Sequence, residues 1–184
     1  IAYDHRGQGR SSRSELPSIG IELVYDHAIA LIDKIVGGPV HFCGLSLGGF
    51  VGMRLAARQP HRVRSLMLLE TSADPEPPQN IPRYRLLANV ARVFGVHVVA
   101  DRVARIMFSR TFLTDPSKAP DLAFWRARLM ENPRSVHRAL RGVVERRGVF
   151  DELPRITAPT LIVVGEEDIA TVPAKSERMH AAIA

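Results

Sequence analysis

The sequence predicts an α/β fold: a mostly parallel, doubly wound sheet interrupted by a helical insertion. Three observations carry the prediction. Short apolar runs at 40–43, 65–69 and 159–164 have the length and content of buried parallel strands. A helical pattern at 50–57 separates the first two runs, and strand-helix-strand order calls for right-handed parallel crossovers. Between Pro75 and Pro154 strand patterns give way to helical periodicity.

Taken in order, Ile1, Ala2 and Tyr3 read as the end of a buried strand, so the chain starts in the middle of an element and has the look of a fragment. The loop from Asp4 to Ser12 follows, on the edge where open α/β sheets carry ligands. Its Gly7-x-Gly9 does not make a dinucleotide site, because Ser12 occupies the place of the third glycine and no amphipathic helix begins there. Residues 21–36 predict a helix: Val24, Ala28, Leu31 and Ile35 recur at helical spacing, with Glu22, Asp26 and Asp33 toward water. Gly37-Gly38-Pro39 ends it, and His27 on this helix is a surface residue.

The apolar run His41-Phe42-Cys43 then stops at Gly44-Leu45-Ser46-Leu47-Gly48 and continues into a helix that Gln59-Pro60 terminates. Gly-x-Ser-x-Gly between a strand and a helix is a nucleophile elbow, with Ser46 at its tip. A serine lifted from so sharp a turn carries strained backbone angles, so Gly44 and Gly48 are expected to approach each other without a Cβ. The following helix turns its N-terminal N–H groups toward the serine, which makes the N–H of Leu47 the expected oxyanion donor. Cys43 reads as a small apolar residue buried in the strand, not a nucleophile.

Residues 65–69 form the second strand, with Glu70 and Asp74 just past its carboxyl end. Asp74-Pro75-Glu76-Pro77-Pro78 is a stiff linker into a lid of helices predicted at 99–108, at 121–130 behind Asp121 as N-cap, and at 133–146 behind Asn132 as N-cap. Lid residues Met107, Phe108, Phe112, Phe124, Trp125 and Met130 either line an apolar pocket or fasten the lid to the body. The third strand ends in a turn, Gly165-Glu166-Glu167-Asp168, and residues 174–183 predict a final helix. The resulting division is a core at 1–74, a helical cap at 75–153 and the rest of the core at 154–184.

A serine hydroxyl is a weak nucleophile until a base takes its proton and an acid orients that base. Asp168 is the best acid, since a tight turn after a strand places it on the same carboxyl edge as Ser46. Glu70, Asp74 and a plain capping role for Asp168 are the alternatives, and Glu166 and Glu167 read as solvated neighbours. The chain order of this triad is serine, acid, histidine. Only His180 follows Asp168, and it sits inside a helix; His5, His41, His61, His97 and His137 come too early. The base is therefore expected beyond Ala184, and the second oxyanion donor before Ile1. His5, Phe108, Phe124, Trp125 and His137 are the candidates for the substrate pocket. No cofactor and no metal is called for.

The runs DHRGQGRSS, HFCGLSLGGFVGM, VRSLMLLETS and APTLIVVGEED, in this order, resemble the α/β-hydrolase superfamily over nearly the whole chain. HFCGLSLGGFVGM is similar to the 3-oxoadipate enol-lactonase branch of small bacterial esterases and lactonases. The resemblance implies an α/β-hydrolase fold, with a helical cap before the penultimate strand, incomplete at both ends. It implies Ser46 as nucleophile, Leu47 as main-chain oxyanion donor and Asp168 as triad acid. The family's early His-Gly oxyanion loop and its last strand with the histidine are absent from the sequence.

Composition narrows the alternatives. The chain has 184 residues, 46% of them hydrophobic, and a mean hydropathy of −0.01, which describes a globular domain with a real core. No run approaches the ~20 apolar residues that cross a membrane. The single cysteine leans toward a reducing, cytoplasmic setting. A net charge of +6 and a pI near 10.2 come from scattered arginines, with Lys34, Lys118 and Lys175 the only lysines, and no nucleic-acid motif accompanies them. The expected partner is a small-molecule ester or lactone, with no nucleic acid and no membrane; a homo-oligomer is compatible with all of this. Haloperoxidase, acyltransferase and carbon–carbon hydrolase chemistry share the same elbow, and a non-catalytic ligand-binding module is the alternative from another class.

Overall fold

The computed structural model describes residues 1–183. In chain order the elements are α1 (Ile21–Leu31), β1 (Val40–Leu45), α2 (Leu47–Arg58), β2 (Val63–Leu69), α3 (Ile81–Phe94) and α4 (Ala100–Met107). They continue with α5 (Arg110–Thr114), α6 (Ala119–Met130), α7 (His137–Val144), β3 (Thr160–Val163) and α8 (Pro173–Ala182). The chain divides into two compact units, one of Gly20–Pro75 with Glu145–Ala184, the other of Ile1–Ile19 with Glu76–Val144.

The first unit holds the sheet. Its three strands lie in the order β1-β2-β3 and all pair in parallel, in keeping with the expected α/β class. Leu45 pairs with Leu69, and Leu69 with Val163, so the three strands end level at their carboxyl edge. Helix α2 packs on β1 and β2, burying Val51, Leu55 and Ala56 against Leu66 and Leu68, with Val24 and Ala28 of α1 behind. Each large aliphatic side chain buried this way contributes about 1.5–3 kcal/mol. Predicted helix 21–36 is present, but its last turn widens into a π-turn at Ile32–Val36 before Gly37 closes it in the left-handed conformation, φ 68°.

Arg54 of α2 sits inside this core at 2% exposure. Its guanidinium donates to Glu22 Oε1 at 2.7 Å and to the carbonyls of Phe50 and Arg147 at 2.9 and 2.8 Å. Arg58 extends the network through both Glu22 and Glu152. These bonds hold the Glu22 and Glu152 carboxyls below their usual range. A buried guanidinium is tolerable only when its donors are met in this way.

The strands differ from expectation in one respect. Cys43, Leu45, Met67, Leu161 and Val163 are exposed, because they alternate with the buried positions and lie on the face away from α2. Cys43 is thus a surface residue and not a buried one. Ile1–Tyr3, expected as a strand end, has no ladder partner among the described residues and is not a strand.

In the second unit, Leu87, Ala91, Val96 and Val99 form a small core surrounded by Tyr84, Val103, Leu129 and Val136. Helix α3 packs on α7, and α4 on α6. The helix α3 was not expected, although Tyr84, Leu87, Ala88 and Ala91 recur along it at helical spacing. The sequence pattern also misplaced two helix starts. Helix α6 begins at Ala119 with Pro120 in its first turn, so Asp121 lies within that turn and is not the cap. Asn132 does not start the next helix; its side chain donates to the carbonyls of Arg128 and Leu129 and finishes α6. A 3-10 turn, Arg134–Val136, then leads into α7.

Candidate active site

The site is built on the carboxyl edge of the sheet, where three chain segments turn away from level strand ends. Ser46 leaves β1 with φ 48° and ψ −106°, a conformation that costs a non-glycine residue about 1–3 kcal/mol. Several bonds hold it there. Its N–H donates to the Leu69 carbonyl at 2.9 Å, and its own carbonyl accepts from the N–H groups of Gly49 and Phe50 and from the Thr71 hydroxyl. Ser46 is exposed, and Leu47 is the first residue of α2.

The two elbow glycines do different jobs. A Cβ at Gly44 would stand 2.3 Å from the Gly48 carbonyl group, so glycine is required there. At Gly48 an added Cβ meets nothing within 4 Å. The expectation that both glycines lack a Cβ for reasons of space is therefore corrected. Gly48 supplies backbone for Gly44 to approach, and the second crowded position is Gly49, whose Cβ would stand 2.4 Å from Thr71 Oγ1.

Asp168 follows β3 through a turn closed by its N–H bond to the Gly165 carbonyl. Its Oδ1 accepts from the N–H groups of Ala170 and Thr171 at 2.7 and 2.8 Å, and its Oδ2 from the Thr171 hydroxyl at 2.6 Å. The carboxylate is thus fixed by local donors, as a capping residue would be, while remaining a charged acceptor. Burial is the largest influence on Asp168 and opposes ionisation. The hydrogen bonds from Glu70, Thr171 and Ala170 outweigh it and keep the carboxyl below its usual range.

Glu70 leaves β2 as Ser46 leaves β1. Its φ is 46°, and its N–H donates to Val163, the last residue of the next strand, at 2.9 Å. Glu70 Oε1 accepts the Gly165 N–H at 2.9 Å. The hydrogen bond with Asp168, then burial, push the Glu70 carboxyl up to about 7. Asp74, the other alternative acid, is engaged elsewhere, with its carboxylate on Arg178 at 3.1 Å.

Within the unit that holds the sheet, no histidine among the described residues is hydrogen-bonded to Ser46 or Asp168. His180 is exposed on α8, and His41 Nδ1 pairs with Ser65 Oγ at 2.7 Å. The pocket candidates all belong to the helical unit. His5 stands edge-on to Tyr3, and His137 Nδ1 is bonded to the Arg134 carbonyl within its own turn. Phe108 stacks on Phe112, and Phe124 meets Trp125 edge-on. Phe108 and Trp125 share an apolar cavity of about 190 Å³ with Ala104, Met107 and Leu129. The Gly7-x-Gly9 loop closes on Asp4, whose Oδ2 accepts the Arg10 N–H and whose carbonyl accepts the Ser11 hydroxyl. Among the described residues no group of three or more histidine, cysteine, aspartate or glutamate residues is placed to hold a metal ion, and no helix is long and apolar enough to cross a membrane.

Residues 1–184 match the Hydrolase_4 family model, described as serine aminopeptidase, S33. The chain is 30% identical over 182 residues to 3-oxoadipate enol-lactonase 2 of Acinetobacter baylyi, an alignment covering 96% of this chain and 64% of that protein. It thus spans a little under two thirds of the length of that curated relative. Its fold matches the crystal structure of the enol-lactonase from Burkholderia xenovorans LB400 with a TM-score of 0.86 and 28% identity, over 97% of this chain and 66% of that one. A thermophilic esterase from Thermogutta terrifontis, solved with malate bound, matches with a TM-score of 0.83 and 27% identity, over 97% of this chain and 65% of that one.

Proposed function

This chain belongs to the Hydrolase_4 family (serine aminopeptidase, S33) of the α/β hydrolases, and from that membership we propose that it carries the nucleophile and acid of a serine hydrolase acting on carboxylic esters or lactones. The observation that carries the proposal is the backbone of Ser46. A non-glycine residue at φ 48°, held by its neighbours between a strand end and a helix start, is strain kept where a reactive hydroxyl is needed.

Ser46 Oγ attacks the substrate carbonyl carbon as its proton passes to a histidine base, which Asp168 orients. The negative charge that develops on the carbonyl oxygen rests on the N–H of Leu47 at the start of α2. Collapse of the tetrahedral species breaks the bond to the alcohol oxygen, which takes the proton back from the base. Water then repeats the sequence at the acyl-serine and frees the acid. We read residues 75–153 as a helical cap and assign Phe108, Phe124, Trp125 and His137 of it, together with His5, to substrate contact, the aromatic rings offering apolar surface. The enol-lactonase and esterase names among the relatives support a small-molecule ester or lactone substrate.

The test is turnover by the full-length protein on a panel of lactones, carboxylic esters and carbamates, with and without Ser46→Ala. Loss of turnover by at least about a thousandfold in the variant supports the proposal, on the scale seen when a triad member is removed. Wild-type rates in Ser46→Ala would refute it.

A further inference from the structure

Two carboxyl groups meet at the carboxyl edge, and the preceding mechanism uses only one. Asp168 is saturated on its own side by three donors from residues 170 and 171. Glu70 reaches the same turn, its Oε1 accepting the N–H of Gly165 at 2.9 Å, and a side-chain hydrogen bond joins its carboxyl to that of Asp168. Two carboxylates cannot bond each other without a proton between them, and close like charges repel. Glu70 is the partner suited to hold that proton. Asp168 is surrounded by donors that favour its charge, whereas Glu70 has a single backbone donor, the Gly165 N–H, on Oε1.

The backbone places Glu70 there deliberately. Ser46 and Glu70 are the two non-glycine residues of positive φ among those described, and they follow paired residues, Leu45 and Leu69. A glutamate gains nothing intrinsic from a left-handed backbone, so the conformation is maintained by its surroundings. It aims the carboxyl across β3 onto the turn that delivers Asp168.

We propose that Glu70 is a positioning residue for the triad acid: as a neutral carboxyl it accepts the Gly165 N–H, donates its own proton to Asp168, and so fixes the charged Asp168 for the base. The inference rests on the reading of Asp168 as triad acid. No proton leaves the pair during turnover; it stays on Glu70 and the charge stays on Asp168. The groups facing Glu70 come from the β3 side, namely Asp168 and the Gly165 N–H. Glu166 and Glu167 of the same turn are exposed, and Arg178 on α8 is paired with Asp74. Once Glu70 ionises, near neutral pH, two negative groups oppose each other and the turn loses its clamp.

The experiment is the pH profile of kcat/KM and kcat in the full-length protein, for wild type, Glu70→Gln and Glu70→Ala. In wild type an alkaline limb is expected, with activity falling above about pH 7. Glu70→Gln keeps both an acceptor for Gly165 and a donor for Asp168 but cannot ionise, so its alkaline limb disappears. Glu70→Ala lowers kcat about tenfold with KM little changed, and Gln restores most of that loss. Retention of the wild-type alkaline limb in Glu70→Gln, or an Ala variant equal to wild type at every pH, overturns the proposal. Titration of the side-chain carboxyls by carbon-13 NMR on the same protein needs no turnover. Glu70 is expected to titrate near 7 and to return toward 4.5 in Asp168→Asn; a Glu70 that titrates near 4.5 in wild type refutes the proposal whatever the kinetics show. Fluorophosphonate labelling of Ser46 in wild type and in Asp168→Asn separates the two failures, since slower labelling in Asp168→Asn reports the triad acid and not Glu70.

Discussion

The Thr71 hydroxyl donates to the carbonyl oxygen of Ser46 at 2.9 Å, so the segment leaving β2 holds the strained residue that leaves β1. Thr71 is 1% exposed, and its side chain also fills the space left by Gly49. Thr71→Val keeps the shape and removes the bond. Because the Ser46 carbonyl still accepts from Gly49 and Phe50, the cost is that of one neutral hydrogen bond, about 1 kcal/mol. Urea denaturation gives the stability change, and an unchanged midpoint would contradict it.

The elbow glycines separate under substitution. Gly44→Ala drives a methyl group into backbone at Gly48, which cannot swing aside, and costs about 3 kcal/mol or more. Gly48→Ala enters open space and changes stability by less than about 1 kcal/mol. Thermal melts of the two variants side by side test this contrast, and equal losses would contradict the assignment of space at the elbow.

How much of this was legible in the sequence follows from the range over which each feature is determined. The elbow was, because strand, Gly-x-Ser-x-Gly and helix are contiguous and the strain at Ser46 is a property of one turn. The position of Asp168, in a turn after a strand on the same edge as Ser46, was legible as well. Four features were hidden. Cys43 was expected inside because an apolar run does not reveal how many faces of its strand are covered. Gly48 was assigned a crowding that belongs to Gly49, because the partner that crowds Gly49, Thr71, comes from the segment that follows another strand. Glu70 stood among the alternative acids, but its pairing with Asp168 depends on the register β1-β2-β3, which no local pattern encodes. In the helical unit α3 was missed although Tyr84, Leu87, Ala88 and Ala91 recur at helical spacing along it.

The buried Arg54 makes stability depend on acid titration. Glu22 and Glu152 have folded-state pKa values below their ordinary 4.5, so their contribution is complete above that value and is lost as the pH falls through the folded-state pKa. Glu22→Gln is expected to cost about 1–2 kcal/mol at pH 7, since it removes a charged acceptor from a buried guanidinium while Glu22 itself is half exposed. The difference from wild type shrinks below about pH 4.5, and denaturation curves at pH 7 and pH 3.5 read both values.

Strain at Ser46 and reactivity at Ser46 come apart in Ser46→Gly. Glycine accepts a positive φ without penalty, so this variant is expected to be inactive yet more stable by about 1 kcal/mol, a rise of about 2–4 °C in Tm. A fall in Tm of the same size would mean that the conformation carries no strain.

The central claim is that Ser46 is an activated nucleophile, and the most direct measurement is fluorophosphonate labelling of the full-length protein followed by peptide mass spectrometry. A single adduct on Ser46, lost in Ser46→Ala and slowed in Asp168→Asn, is the predicted result. An unlabelled Ser46, or an adduct on another residue at the same rate in both variants, would contradict it.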